Sequence, residues 1–369
     1  MTSPWEVVLV TGGSGFLGQH IVKLLQEQDY AVKEIRVLDL QPYVNKLGHE
    51  EYKPLHSFVG DICDVEQSRE AFRGVHCVIH CAALVSYNFP PDTTNLCETN
   101  VTGTQVVISL CVEQSVSRLV FCSSIEVTLT PYLRGTFSVI VNQTESKALP
   151  PDDDFLVIPG YAVSKLRAER LVLAADGRRH VNGTGHLRTV ALRPTLLYGE
   201  QDPRLIPALI RFAEANAGRL IKFAGAGGKQ QVTYVGNAAW AHLRAKDVLL
   251  LRPSGVGGLP VFITDDTPAC DLLHFAQRVT SSVDAPPRCL LTRWYVPSLL
   301  AYLVAFILEL IASLLRLRLP FPPRAVVSYL GSILYYNRLR AAILLEYSPI
   351  FTLDESNRLA RKYYTSDIV

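Results

Sequence analysis

The chain has 369 residues, which is enough for one large domain or two moderate ones. Its formal net charge of +2 provides no strong field for a polyanion, so nucleic acid is excluded as a predicted partner. Hydrophobic residues make up 49% of the chain, charged residues only 19%, and the mean hydropathy is positive. This composition is apolar for a soluble protein and indicates contact with membrane lipid.

The first 130 residues alternate between short apolar runs and helical stretches. Strands are predicted at residues 7–10, 35–38, 57–59, 77–80 and 119–122, and helices at 18–28, 65–72 and 101–114. A further helix at 161–176 and a strand at 189–193 follow. Strands that alternate with helices of this length predict an α/β fold with a parallel, doubly wound sheet.

A glycine-rich turn directly follows the first predicted strand. It contains the spacing Gly13-x-Gly15-x-x-Gly18 and opens the first helix. A strand, a glycine turn and a helix in this order present backbone N–H groups to a pyrophosphate, as dinucleotide sites do. Asp39 ends the next strand, where a carboxylate accepts hydrogen bonds from ribose hydroxyls and repels a 2′-phosphate. The sequence therefore predicts NAD rather than NADP as the cofactor.

Three further residues fit the same site. Asp61 follows the third predicted strand and would accept a hydrogen bond from the adenine amino group, while Ile62 packs on the ring. A plain turn or N-cap role is the alternative for Asp61. Ala82 lies in an alanine pair after the fourth strand, where small side chains let a cofactor pass closely.

The chemistry is predicted to lie with Tyr161 and Lys165, one helical turn apart. A free phenol has a pKa near 10, too high for a base at neutral pH. The Lys165 ammonium and a positive nicotinamide ring are expected to lower the pKa of Tyr161. Ser124 ends an intervening strand, at the edge where such sheets bind ligands, and would hold the substrate oxygen. Proton removal by Tyr161 would accompany hydride departure to NAD.

A late apolar stretch covers residues 295–315 and carries one charge, Glu309. At about 1.5 Å per residue, a helix of this length spans a bilayer or lies along it. Trp294 and Tyr302 stand where a membrane interface places aromatic residues. Membrane association is the favoured interpretation, and a buried helix of a soluble domain is the alternative. Because Glu309 is costly in hydrocarbon, the sequence leaves spanning and monotopic attachment open.

With these residues in view, the chain resembles an extended short-chain dehydrogenase/reductase. Within that group it resembles the 3β-hydroxysteroid dehydrogenase/Δ5-isomerase family over essentially its whole length. The resemblance rests on the motifs at 123–127, 192–199, 232–242 and 263–268, together with the late apolar segment.

The resemblance implies a catalytic Ser124, Tyr161 and Lys165, and NAD-dependent oxidation of a 3β-hydroxyl on a sterol or steroid substrate. It also implies attachment to the endoplasmic-reticulum membrane, or to a mitochondrial membrane, with the catalytic domain facing the cytosol where NAD is available. The cofactor contacts it implies are Gly12, Gly15, Phe16, Leu17, Gly18, Asp39, Asp61, Ile62, Ala82, Asn100, Tyr161, Lys165 and Pro194.

The chain departs from the family at two positions. Steroidogenic members carry a tyrosine pair where this sequence has Val261 and Phe262, which have no acidic proton. The sequence therefore supports the dehydrogenase step and leaves open whether a Δ5-to-Δ4 isomerisation follows. Three other functions use a similar site: a decarboxylating sterol-4α-carboxylate 3-dehydrogenase, a nucleotide-sugar epimerase or reductase, and a catalytically silent NAD-binding sensor.

The predicted organisation has four parts. Residues 1–199 are predicted to form an NAD-binding Rossmann domain that contains the catalytic residues, and residues 200–290 a smaller substrate-side region. Residues 291–345 are predicted to form a membrane-associated segment, and residues 346–369 a tail.

Eight cysteines occur, none in Cys-x-x-Cys and none near a histidine at zinc spacing, so no metal site is predicted. A homodimer is compatible with the sequence, which does not determine the oligomeric state.

Overall fold

The computed structural model describes residues 5–130, 138–148, 156–223, 228–281 and 287–366. Its strands are β1 (Glu6–Thr11), β2 (Val32–Asp39), β3 (Leu55–Val59), β4 (Cys77–His80), β5 (Arg118–Cys122), β6 (Val139–Gln143), β7 (Arg188–Pro194), β8 (Leu196–Tyr198), β9 (Arg219–Phe223), β10 (Lys229–Gln230), β11 (Val232–Tyr234), β12 (Leu259–Ile263), β13 (Leu290–Val296) and β14 (Ile333–Tyr336).

The α-helices are α1 (Phe16–Glu27), α2 (Val65–Phe72), α3 (Thr93–Cys97), α4 (Gly103–Glu113), α5 (Tyr161–Ala174), α6 (Leu205–Ala215), α7 (Val235–Leu251), α8 (Pro253–Val256), α9 (Leu272–Val279), α10 (Ser298–Leu314), α11 (Pro323–Gly331), α12 (Leu339–Leu344) and α13 (Leu353–Tyr364). A π-helical turn, Glu98–Thr102, precedes α4, and a 3₁₀ turn, Ile125–Thr128, follows β5.

Seven parallel strands form the central sheet, in the order β12-β7-β5-β4-β1-β2-β3. The chain runs outward from β1 to β3 and then returns to β4 on the other side of β1. This reversal opens a crevice at the carboxyl ends of β1 and β4, where open α/β sheets bind ligands. The predicted doubly wound α/β sheet is confirmed.

Successive strand residues face opposite helix layers. Val8 and Val10 pack in the core that holds α1 and α7, whereas Leu9 packs in the core that holds α2, α4 and α5. All three side chains are fully buried. Because helices cover both faces, the central strands β1, β4 and β5 are apolar runs buried on both sides, which is why the sequence alone locates them.

Two elements from beyond residue 199 complete this sheet unit. β12 pairs in parallel with β7, with Val261 opposite Leu192, and α7 packs against α1 and β5. The structural unit therefore takes in residues 235–263, which the sequence assigned to the substrate-side region. The sequence pattern does not reveal this pairing because the chain leaves the sheet after β7 and returns only after a long excursion.

Smaller parallel sheets occupy the remainder: β10-β14-β6, β11-β8 and β13-β9. β14 lies inside the segment predicted to be membrane-associated, yet its Leu334 and Tyr336 are buried in the protein. The tail beyond residue 345 is also packed. Tyr364 of α13 is fully buried, and its hydroxyl donates to Oδ2 of Asp202 at 3.0 Å.

Helix α10 buries one narrow stripe and exposes the rest. The buried residues are Ala301, Ala305, Glu309 and Ala312, and the helix packs against α11. The Glu309 carboxylate accepts hydrogen bonds from the backbone N–H of Arg324, at 2.8 Å, and from its guanidinium. The acidic residue that the sequence placed in an apolar stretch is thus paired inside the protein.

The apolar stretch 295–315 is divided between two elements. Tyr295 and Val296 belong to β13, and α10 covers only Ser298–Leu314, so the helix is shorter than the stretch that predicted it. Across the part of the chain that the structure describes, no helix combines the length and the apolarity needed to cross a bilayer. Membrane association stays a prediction.

Candidate active site

The turn from β1 to α1 requires glycine at two positions. Gly12 has a φ of +71°, and a Cβ there would lie 2.6 Å from the backbone nitrogen of Ala82. A Cβ on Gly18 would lie 2.2 Å from the carbonyl oxygen of Gly12. Helix α1 begins at Phe16 with Gly15 as its N-cap, and no side chain caps its first N–H groups. These N–H groups are available to an anion, which fits the predicted pyrophosphate.

Asp39 reaches the same turn from the end of β2. Its Oδ2 accepts a hydrogen bond from the backbone N–H of Ser14 at 3.0 Å, and its Oδ1 accepts one from Gln41 at 3.4 Å. The carboxylate is therefore held at the mouth of the glycine turn. This position suits hydrogen bonds to a ribose and disfavours a 2′-phosphate, so the residues present fit NAD.

Asp61 and Ile62 lie where β3 leads into α2. Ile62 is buried, 5% exposed, and packs against Gly103. Oδ1 of Asp61 accepts a hydrogen bond from the backbone N–H of Cys63 at 2.8 Å, so the turn role that the sequence allowed is present. Asp64, rather than Asp61, caps α2.

The side-chain amide of Asn100 forms hydrogen bonds to other residues of the protein. Its Oδ1 accepts the backbone N–H of Leu84 at 2.7 Å, and its Nδ2 donates to the Leu84 carbonyl at 2.9 Å and to Oγ of Ser164 at 2.8 Å. It thus ties the loop after β4 to the helix of Tyr161. A role in cofactor binding through this loop remains a prediction. The other predicted contacts lie at strand or helix ends: Phe16 and Leu17 begin α1, and Pro194 ends β7.

Tyr161 and Lys165 occupy the first turns of α5. The chain enters this helix through Gly160, whose φ is +81° and where a Cβ would lie 2.6 Å from Pro91. Nζ of Lys165 donates to the carbonyl oxygen of Cys122 at 2.6 Å and lies 4.2 Å from the centre of the Phe121 ring. The lysine is therefore fixed against the carboxyl end of β5.

Ser124 is connected to Tyr161 by a short series of contacts. Its Oγ accepts the backbone N–H of Glu126 at 3.2 Å, and Oε1 of Glu126 accepts the hydroxyl of Tyr87 at 3.0 Å. The ring of Tyr87 meets that of Tyr161 edge to face, with centroids 5.4 Å apart. The three predicted catalytic residues thus converge at the end of β5. The sequence analysis places Glu126 in a family motif without a role, and it does not single out Tyr87.

The electrostatics of Tyr161 differ from the expectation. Burial raises the pKa of its phenol well above the usual value, and the Glu126 carboxylate raises it further. Burial lowers the pKa of Lys165. The predicted lowering of the pKa of Tyr161 depends also on a bound nicotinamide ring, and it stays a prediction. Burial also raises the pKa of Glu126 to about 7, although the bond from Tyr87 opposes this shift.

A buried ion pair supports the strand that carries Ser124. The guanidinium of Arg193 donates to both oxygens of Glu169, and Oγ of Ser123 donates to Oε2 of Glu169 at 2.6 Å. Arg193 and Glu169 are each about 1% exposed. The network joins β7, α5 and the end of β5, and it was not anticipated from the sequence.

Val261 and Phe262 lie inside β12 and are fully buried. The Phe262 ring packs on Tyr336, with centroids 4.8 Å apart, and its backbone N–H donates to Oε1 of Glu145 at 2.8 Å. Neither side chain supplies an acid at the positions where the resembling family carries its tyrosine pair.

Comparisons with known proteins identify a family and several solved structures of similar fold. Residues 9–292 match the model of the 3-beta hydroxysteroid dehydrogenase/isomerase family. The fold is similar to UDP-glucose 4-epimerase of Thermus thermophilus in complex with NAD (21% identity, TM-score 0.65, 98% of this chain and 100% of that chain). It is also similar to dTDP-glucose 4,6-dehydratase of Bacillus anthracis in complex with NAD (17%, 0.64, 98% and 97%). A third match is MoeE5 in complex with UDP-glucuronic acid and NAD (20%, 0.65, 96% and 98%).

Proposed function

Since the chain belongs to the 3-beta hydroxysteroid dehydrogenase/isomerase family, we propose that it is an NAD-dependent dehydrogenase that oxidises the 3β-hydroxyl of a sterol or steroid to the 3-ketone. The observation that carries the proposal is the convergence of Ser124, Tyr161 and Lys165 at the carboxyl end of β5, next to an uncapped glycine turn. NAD as the cofactor is supported by this turn, by Asp39, and by the NAD complexes of proteins with a similar fold.

Each residue has a distinct role in the proposed reaction. When bound, NAD would supply the hydride acceptor and a positive charge to the site. The Tyr161 phenol removes the hydroxyl proton, and Ser124 holds the substrate oxygen by a hydrogen bond. Lys165, fixed by the Cys122 carbonyl, carries the ammonium beside the phenol and is placed to bind the nicotinamide ribose. Burial raises the pKa of Tyr161 in the protein alone, so positive charge added to the site would favour the phenolate.

A flat apolar substrate suits the surroundings of the phenol. The elements next to Tyr161 belong to an apolar cluster that includes Ile125, Leu156 and Tyr329, with Tyr87 packed against it. The apolar outer side of α10 would let such a substrate reach the enzyme from lipid, with α10 lying along the membrane surface. Attachment to the endoplasmic-reticulum membrane with the catalytic domain facing the cytosol, a mitochondrial membrane being the alternative, is part of the proposal.

NADH formation by the detergent-solubilised protein tests the proposal directly. The panel contains 3β-hydroxy-Δ5 steroids, oxysterols and 4α-carboxysterols, with UDP-sugars as a comparison. Wild type should reduce NAD with at least one sterol, and Tyr161→Phe should be slower by about 10²–10⁴-fold while still binding NAD. Turnover only of a 4α-carboxysterol with CO2 release would favour the decarboxylating dehydrogenase. NAD binding without any turnover would contradict the proposal and favour the sensor.

The position of the double bond in the product tests the second step. A Δ5-3-ketone is expected, because Val261 and Phe262 are buried apolar side chains that can neither donate nor accept a proton. A Δ4-3-ketone formed at the enzymatic rate would show that other residues perform the isomerisation.

A further inference from the structure

Three soft metal ligands from distant parts of the chain meet beside the catalytic lysine. Cys81 directly follows β4, Cys122 ends β5, and His242 lies on α7. Their two sulfur atoms and a ring nitrogen lie within 4.8 Å of one another. The pairing of His80 with Phe121, one residue before each cysteine, places the two thiols side by side on neighbouring strands. Sequence spacing could not reveal this cluster, because the residues are joined only by the sheet and its covering helix.

His242 is held in the form that binds metals. It is fully buried, and its Nδ1 lies 2.8 Å from the carbonyl oxygen of Ala238. A carbonyl only accepts hydrogen bonds, so Nδ1 carries the proton and Nε2 presents its lone pair. Nε2 is buried without a nitrogen or oxygen partner among the described residues, and a ring nitrogen of His242 lies within 4.8 Å of both sulfurs. A backbone carbonyl on the second ring nitrogen is the usual outer-shell support of a zinc-bound histidine.

We propose that Cys81, Cys122 and His242 bind a zinc ion. Zinc takes thiolate and imidazole ligands at about 2.3 Å and about 2.0 Å, which separates tetrahedral ligand atoms by roughly 3.5–3.8 Å. Small side-chain rotations therefore suffice to close a cluster whose atoms already lie within 4.8 Å. Two thiolates balance the charge of the cation, which matters because the Lys165 ammonium lies on the Cys122 carbonyl. Both cysteine residues are partly exposed, and water would supply the fourth ligand.

A zinc ion in this site would stabilise two parts of the predicted cofactor site, the glycine turn and Lys165. Gly12 packs against the backbone of Cys81 and Ala82, and the Cys122 carbonyl anchors Lys165. A metal that joins the two cysteines would therefore fix the glycine turn relative to the catalytic lysine. The site is independent of the identity of the substrate, so its test does not depend on the proposed dehydrogenase activity.

The test measures metal binding on the full chain in detergent with a phosphine reductant. Zinc is removed with a chelator and titrated back, and cobalt replaces zinc to give a thiolate-to-cobalt charge-transfer band. Wild type should bind one ion per chain and show this band, and the ion should raise its unfolding temperature. Cys81→Ser and Cys122→Ser should each weaken zinc binding by about tenfold or more and remove much of the band.

Cys97→Ser is the matched control, because Cys97 is also a partly exposed free cysteine but lies outside the cluster. It should bind zinc as wild type does. His242→Gln tests the nitrogen ligand, and far-UV circular dichroism checks that each variant is folded. The proposal is overturned if wild type binds zinc no more tightly than Cys122→Ser.

Discussion

The Tyr87 hydroxyl donates a hydrogen bond of 3.0 Å to the buried carboxylate of Glu126. Because the Tyr87 ring also packs on Tyr161, the carboxylate sits one side chain away from the proposed catalytic phenol. Glu126 titrates at about 7, so its charge changes within the range in which the enzyme is expected to work. The pair is therefore a candidate for tuning the pKa of Tyr161.

Glu126→Gln should shift the pH dependence of sterol oxidation toward acid. Above about pH 7 the Glu126 carboxylate is charged and raises the pKa of Tyr161, and an amide removes this charge while keeping an acceptor for Tyr87. The measurement is kcat/KM for NAD-dependent oxidation across pH. Tyr87→Phe should shift the profile in the same direction but less, since losing its hydrogen bond raises the pKa of Glu126 and keeps the carboxyl neutral to a higher pH. An unshifted profile in Glu126→Gln would show that the carboxylate does not act on the phenol.

The same substitution should change the pH dependence of stability. The pKa of Glu126 rises from 4.5 to about 7 on folding, so the native state binds more protons than the unfolded state between these values. Stability therefore falls as pH rises through this window, by about 3 kcal/mol at most, and the loss is complete above pH 7. Glu126→Gln should lack this decline. Denaturant unfolding of both proteins at pH 4.5 and pH 8 measures the difference, and parallel declines would contradict the prediction.

Gly18→Ala should weaken NAD binding by about tenfold or more and destabilise the protein. Its Cβ would lie 2.2 Å from the Gly12 carbonyl oxygen and 2.6 Å from Cα of Gly13, both backbone atoms that cannot move without opening the turn. Gly255→Ala is the control, because its Cβ would meet open space. NAD titration by calorimetry compares the two variants, and equal affinities would show that the turn does not form the cofactor site.

Asp39→Ser should relax the choice between NAD and NADP. The Asp39 carboxylate lies at the glycine turn, where it would bind the ribose hydroxyls of NAD and repel a 2′-phosphate. Serine removes the negative charge, so the ratio of kcat/KM for NAD to that for NADP should fall by about tenfold or more. The affinity for NAD should fall at the same time. A ratio equal to that of wild type would exclude Asp39 from the ribose site.

Glu169→Gln should destabilise the protein by about 3–5 kcal/mol, because it leaves the buried Arg193 charge without its partner. The control is Glu66→Gln, which breaks the more exposed pair with Arg69 and should cost about 1 kcal/mol or less. Denaturant midpoints, with the slopes compared, report both changes. A similar small effect in the two variants would mean that the Glu169 network does not support the end of β5.

The parts of the fold that sequence predicted are those with a local signal. β1, β4 and β5 are buried on both faces, so their apolar runs mark them, and the glycine turn requires glycine for local steric reasons. Contacts between elements that are distant in sequence leave no local signal in the sequence. β12 joins β7 across an excursion of the chain, and the contact of His242 with Cys122 depends on how α7 covers the sheet. The rise in the pKa of Tyr161 could not be predicted from the sequence, because burial and the position of Glu126 are properties of the folded site.

The outer side of α10 gives the most direct test of membrane association. Leu303 and Ile307 are 53% and 44% exposed, one turn apart, while the inner stripe of alanines packs on α11. An apolar face of this kind favours lying at a lipid interface, with Glu309 kept on the protein side by Arg324. The double variant Leu303→Glu and Ile307→Glu should lose co-flotation with phospholipid vesicles and keep its NAD binding. Leu251→Glu, which charges a residue that is 73% exposed elsewhere, should float as wild type does. Equal flotation of the double variant and wild type would show that α10 is not the surface that meets the membrane.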